Sequence, residues 1–164
     1  MRPLITCLLW LIAWQAAAAP QRVASLAPSL TEIVIELNAS DLLFGVLDGG
    51  LRPERGAGLP SVGRYGQLDI ERLLSLRPDL LLLWPGSVSA AQRDQLKRLN
   101  IPVYTADPRT LDELADQIEQ MGERLGRVKR GRQAAEDFRQ RLASLRERYR
   151  RDVLMSKLTP TRTG

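Results

Sequence analysis

The sequence predicts an α/β fold, a doubly wound parallel sheet followed by one long helix. Three observations carry that expectation. Short apolar runs at residues 23–27, 42–47, 80–84 and 103–106 alternate with segments of helical period, the pattern of βαβ units. The run Leu80-Leu81-Leu82-Leu83-Trp84 shows no polar alternation, which fits a strand covered on both faces. A last stretch over residues 128–151 places Ala134, Phe138, Leu142, Leu145 and Tyr149 at helical spacing.

The elements follow in order. Residues 1–19 read as an export signal, with Arg2 as the positive start, an apolar run over residues 4–14 and a small-residue cleavage site at Ala17-Ala18-Ala19. The apolar run is short for a spanning helix, which needs about 20 residues. Residues 23–27 form the first strand, and Ser29-Leu30-Thr31-Glu32 reads as a capping box with Ser29 at the N-cap. Leu30, Ile33, Val34 and Leu37 give the helix its apolar face, and residues 38–41 close it before the second strand. Residues 48–66 hold six glycines, two prolines and three arginines without periodicity, so they are expected to form a long loop. Asp69 caps a helix with Ile70, Leu73 and Leu74 on one face, and Pro78 ends it. After the strand at 80–84, Ser87 or Ser89 caps a helix reaching Leu99. Pro102 precedes the fourth strand, and Thr110-Leu111-Asp112-Glu113 is a second capping box that opens a helix through Ile118 and Met121. Gly126 lies near the join to the last helix, and residues 152–164 lack periodicity and are expected to be irregular.

Composition narrows the chemistry. The chain has no histidine, and its one cysteine, Cys7, lies inside the export signal. The commonest metal sites and the Ser-His-Asp and Cys-His nucleophiles are therefore absent. No glycine-rich segment matches a phosphate-cradling loop. Asp48, Asp69 and Glu71 are the carboxylates that could reach the strand ends, and no enzyme is expected. The net charge of +5 is concentrated between Arg124 and Arg151, but Glu and Asp are interleaved there. That reads as a solvated face, and export removes nucleic acid as a partner.

In a doubly wound sheet, ligands bind beyond the carboxyl ends of the strands. Those ends are Ala27-Pro28-Ser29, Leu47-Asp48-Gly49, Trp84-Pro85-Gly86 and Ala106-Asp107-Pro108. Two aromatics stand at element ends, Tyr65 and Trp84, and they suit a flat ligand with an amide or carboxylate rim. The candidate ligand-binding residues are therefore Tyr65, Trp84, Pro28, Ser29, Asp48, Gly49 and Gly86. No metal ligands and no cofactor are expected. Ser29 also reads as a plain helix cap, and Glu71, in the first turn of its helix, as dipole compensation.

The segment 23–32 resembles the opening of the class III periplasmic binding proteins, which serve ABC importers for vitamin B12, haem and ferric siderophores. The likeness continues through Leu59-Pro60-Ser61-Val62-Gly63, residues 68–80 and Leu99-Asn100-Ile101-Pro102-Val103, and spans about residues 22–151. The cobalamin-binding branch is the most similar. The resemblance implies that Tyr65 and Trp84 line a corrinoid cleft and that Glu71 docks on an arginine of the permease. In the haem-binding branch the iron-ligating tyrosine falls at about Arg64, which keeps haem or a siderophore as the alternative ligand. A departure from the cobalamin branch is the loop from Asp48 to Pro53, which holds no aromatic. The resemblance further implies an α/β ligand-binding lobe over residues 22–126, a backbone helix over 128–151 and a second lobe beyond it. A chain ending near that helix is expected to lack the second lobe, as a truncated product would, and to grip ligand weakly. A docking module that carries no ligand, or an α/β enzyme fragment, are the readings from other classes.

Overall fold

The computed structural model describes residues 19–49 and 58–158. The expected export signal, apart from Ala19, lies outside the described residues, as do residues 50–57 of the glycine-rich stretch and the end of the tail from residue 159.

Six strands form one sheet in the order β4-β3-β2-β1-β5-β6. They are β1 (Val23–Ser25), β2 (Leu43–Asp48), β3 (Ser61–Arg64), β4 (Gln67–Leu68), β5 (Leu80–Leu83) and β6 (Val103–Thr105). All pairings are parallel except the β3–β4 hairpin. The helices are α1 (Pro28–Glu36), α2 (Ile70–Ser75), α3 (Ala90–Arg98), α4 (Leu111–Arg124) and α5 (Val128–Leu158).

Alternate residues of the central strands feed two separate cores, as the period of two along a strand requires. Val23, Leu43, Leu80, Leu82 and Tyr104 pack with α1, α4 and α5 residues such as Val34, Met121 and Ala135. Ala24, Leu81 and Leu83 face the other way, onto Leu73 of α2 and Leu96 of α3. Helices therefore cover both faces, which is why β5 can be four leucines in a row without a polar residue.

Three expectations are corrected. The N-cap of α1 is Ala27 and makes no side-chain cap bond; Pro28 occupies the first turn. The fixed φ of proline starts the helix one residue early, so Ser29 lies inside it and caps nothing. Second, the stretch expected to be wholly loop contains β3, which pairs with β2 and turns into β4. Gly63 has φ 118°, and a Cβ there would lie 2.3 Å from the Gln67 carbonyl oxygen, so the turn demands glycine. Third, α5 continues to Leu158, through the first part of the tail expected to be irregular. On this helix Leu145 and Tyr149, expected on its apolar stripe, are exposed.

Other signals hold. Asp69 accepts from the Arg72 N–H, Ser89 forms a full capping box with Gln92, and Thr110 accepts from the Glu113 N–H. The α4–α5 corner turns at Gly126, φ 68°. There Gly122 and Gly131 bring the two helix backbones together, because a Cβ on Gly122 would stand 2.5 Å from the Gly131 Cα. Arg139 and Arg146 extend the contact by reaching Asp116 at 2.7 Å and Asp112 at 2.8 Å. On the first helix, Thr31 donates to the Ser25 hydroxyl at 2.9 Å, a buried bond that pins α1 to β1.

Candidate ligand-binding site at the carboxyl edge of the sheet

The strand ends place the predicted residues together. Tyr65 follows β3, and its N–H donates to the Asp48 carbonyl at the end of β2 (2.8 Å). The Gly66 N–H donates to the Ser87 carbonyl (3.1 Å), which ties the β3–β4 turn to the loop after β5. Ser87 is buried, and both its N–H (2.9 Å) and its hydroxyl (2.7 Å) donate to the Trp84 carbonyl. The loop bearing Trp84 is thus held by its own backbone and by its neighbour's.

The result is an aromatic pair. The Tyr65 and Trp84 ring centroids lie 6.3 Å apart with 37° between their planes, inside the range at which aromatic rings attract. Both rings remain open to solvent, with Tyr65 51% and Trp84 39% exposed. Large aromatics bury when they can, so two adjoining rings left uncovered at a sheet edge make this face the candidate surface for a ligand.

The small residues make room for them. A Cβ on Gly86 would lie 2.7 Å from the Trp84 Cη2, so the indole lies over the glycine backbone. A Cβ on Gly49 would lie 2.6 Å from the Pro28 Cγ and 3.8 Å from the Tyr65 Cβ. Pro28, Gly49, Tyr65, Trp84 and Gly86 therefore share one face. The Asp48 carboxylate accepts from the Ser61 hydroxyl at 2.6 Å, so it braces β2 against β3. Ser29 meets Trp84 across a slot of about 290 Å³ between α1 and α4. Sequence reasoning missed a second polar residue of that slot, Gln117. It is a mid-helix glutamine, and nothing in its neighbours marks it out. Glu71 stands exposed in the first turn of α2.

A larger hollow, about 660 Å³, opens at the other end of the sheet beside Leu80, Pro102 and Tyr104. There the Arg124 guanidinium sits 5.9 Å from the Tyr104 ring centre, and burial pushes the phenol's pKa up while Arg124 partly offsets it. Volume favours that hollow, but topology and the uncovered rings favour the carboxyl edge. Loops that follow strands are the ones free to vary around a fixed sheet.

Residues 23–161 match the family described as periplasmic binding protein. The chain is 36% identical over 135 residues to the vitamin B12-binding protein of Yersinia pestis, covering 82% of this chain and 48% of that protein. It is similar in structure to the periplasmic vitamin B12 binding protein of Vibrio cholerae, with 35% identity and a TM-score of 0.73 over 80% of this chain and 51% of that one. The periplasmic haem binding protein of Pseudomonas aeruginosa is similar too, with 33% identity and a TM-score of 0.71 over 78% and 46%. The chain spans about half the length of the relatives it matches.

Proposed function

The chain belongs to the periplasmic binding protein family, and on that premise we propose that it is an exported, periplasmic solute-binding protein. It takes cobalamin or a related corrinoid against the Tyr65–Trp84 face and delivers it to an ABC permease. It works by binding and not by catalysis. The observation that carries the reading is the pair of uncovered rings 6.3 Å apart at the carboxyl edge, which offers an apolar aromatic platform, its rings tilted by 37°, to a large ring ligand. The likeness to vitamin B12-binding proteins over 82% of the chain supports the corrinoid. Tyr65 stands one residue from Arg64, where the resemblance places the iron-ligating tyrosine of haem binders, so the same ring leaves haem as the alternative ligand. The likeness to the Pseudomonas aeruginosa haem binder keeps haem as the second reading.

The platform alone binds modestly. Covering what remains exposed of two aromatic rings removes on the order of 200 Å² from water, worth about 5 kcal/mol. Association itself costs about 4–15 kcal/mol. The test must therefore read weak binding. With ¹⁵N-labelled chain and cyanocobalamin, the Trp84 indole N–H and the Tyr65 amide cross-peaks are expected to shift, and Trp84→Ala to abolish the shift at Tyr65. Cross-peaks that stay in place with cyanocobalamin but move with haemin transfer the reading to haem. If neither ligand moves them, the platform is not the binding face.

Glu71 is the proposed contact with the permease, because it is an exposed carboxylate at a helix start with no ion pair among the described residues. Glu71→Ala is expected to lose capture by a detergent-solubilised corrinoid permease while leaving the Trp84 shift intact. Equal capture by the variant removes Glu71 from the docking surface.

A further inference from the structure

Two adjacent residues of α3 reach out of their helix to the two loops that carry the rings. The Gln92 side-chain NH₂ donates to the Leu68 carbonyl at 3.3 Å, on the β3–β4 hairpin that bears Tyr65. The Arg93 Nη1 donates to the Pro85 carbonyl, in the loop that bears Trp84. Successive helix residues point about 100° apart, so a single turn of α3 holds both loops. That turn is itself fixed by the capping box. Ser89 accepts from the Gln92 N–H at 3.2 Å, and the Gln92 oxygen accepts from the Ser89 N–H at 3.1 Å. One glutamine amide thus caps its own helix with its oxygen and holds the hairpin with its nitrogen.

The Arg93 bond stands apart from the other arginine contacts. Arg127, Arg139 and Arg146 spend their guanidinium groups on the carboxylates of Asp41, Asp116 and Asp112. Arg93 is half-buried and makes no ion pair among the described residues; its charge is turned onto a main-chain carbonyl. Hydrogen bonds from a charged donor are stronger than neutral ones. That carbonyl belongs to the peptide unit joining Pro85 to Gly86, and the indole lies over the Gly86 backbone. Holding the carbonyl therefore fixes the surface on which the ring rests. Pro85 has no N–H and Gly86 has no side chain, so the two residues supply little to hold that peptide themselves.

We propose that Arg93 is a positioning residue of the ligand platform: its guanidinium fixes the Pro85–Gly86 peptide, and through it the Trp84 indole at its distance from Tyr65. Gln92 completes the brace on the Tyr65 side. The proposal rests on the ligand face described under the proposed function, but its first test needs no ligand.

Rings with centroids 6.3 Å apart give nuclear Overhauser contacts between their protons, so the ligand-free chain reports the pair directly. Arg93→Met keeps the apolar stem and removes every donor. It is expected to lose the Tyr65–Trp84 contacts and to move the Trp84 indole N–H cross-peak. Arg93→Lys keeps a cationic donor and is expected to retain both. Arg98→Met removes the same charge from the exposed last turn of the same helix and is expected to change neither. Cyanocobalamin affinity is expected to fall about fivefold in Arg93→Met, the loss of one hydrogen bond's worth of order in the platform, and to stay native in the other two variants. A native amide-region spectrum elsewhere excludes unfolding as the cause. In the native chain, the Arg93 guanidinium protons are expected to exchange with water more slowly than those of Arg98, which tests the brace even where Arg93→Met does not fold.

Ring contacts that survive in Arg93→Met, or that are lost equally in Arg93→Lys or Arg98→Met, overturn the proposal whatever cyanocobalamin does. Equal exchange of the Arg93 and Arg98 guanidinium protons overturns it too. Lost contacts with no cyanocobalamin bound by any chain uphold the brace and refute the corrinoid reading. Lost contacts with undiminished cyanocobalamin affinity overturn the positioning role and leave the corrinoid reading standing.

Discussion

Replacing Gly86 by alanine tests whether the Trp84 ring is set by its neighbour's lack of a side chain. The new Cβ would meet the indole at 2.7 Å, 2.8 Å and 3.0 Å, all at the far end of the ring. The shortest contact falls about 0.8 Å inside the separation at which carbon atoms attract. The backbone at Gly86 is not in the left-handed region, so alanine adds no strain there. The ring must therefore swing away while the chain stays put. The swing disturbs the tilted contact with Tyr65, and such pairs are worth about 0.5–1.5 kcal/mol. Stability is expected to fall by no more than about 1 kcal/mol, or 2–4 °C in Tm for a chain of this size. Affinity for cyanocobalamin is expected to fall more, by about three- to tenfold, because the indole leaves its place beside Tyr65. Thermal unfolding by circular dichroism reads the first quantity. The Trp84 indole N–H cross-peak and its response to ligand read the second. An indole resonance at its native position with native affinity would refute the packing argument. A fall in Tm of 10 °C or more, with the ring unmoved, would show instead that the backbone of the loop is the constrained part.

Gly122→Ala is expected to destabilise the chain, because its Cβ meets only backbone: Gly131 Cα at 2.5 Å, Gly131 N at 3.0 Å and the Arg127 carbonyl oxygen at 3.2 Å. The gain of about 1 kcal/mol in helix propensity is outweighed by about 1–3 kcal/mol of overpacking, with further loss as α4 and α5 separate. Urea unfolding of this variant beside Gly58→Ala, whose Cβ meets nothing within 4 Å, checks it; a neutral Gly122→Ala sinks the close-approach account. Tyr104 supplies a pH dependence. Burial raises its pKa above the ordinary phenol value, so the folded chain keeps the proton after the unfolded chain has lost it. Its contribution is complete below the ordinary phenol pKa and is lost as pH rises from there through the raised value. Tyr104→Phe is expected to flatten the fall in urea midpoint on the alkaline side of that range, and an unchanged alkaline fall would count against it.

Much of the fold was legible because its signals are local. Asp69, Ser89 and Thr110 each stand where a helix needs an oxygen, and each is used that way. Four successive leucines from Leu80 read as a doubly covered strand because nothing else makes an unbroken apolar run so short. The failures are equally local in origin. Ser29 and Glu32 satisfy a capping pattern, but Pro28 starts the helix first, and a pattern match cannot see which of two adjacent signals wins. β3 was hidden because its one wholly buried apolar residue, Val62, sits among glycines that the turn requires. Such a strand owes its existence to β2 beside it and not to its own propensity.

The site divides along the same line. Tyr65 and Trp84 were legible as candidates because a large aromatic directly after a strand has nowhere to go but the edge. That they meet each other was not, because β2 and β1 lie between β3 and β5 in the sheet, and the meeting depends on the turn after β3 crossing to Ser87. Gln117 was still less accessible. On a helix of alternating charge its side chain reads as one more solvated polar group. Only the meeting of α1, α4 and the loop after β6 turns it into a buried acceptor beside an apolar slot. The rings follow from which residue types end strands and can be read ahead of the fold, whereas Gln117 follows from which helices cross and cannot.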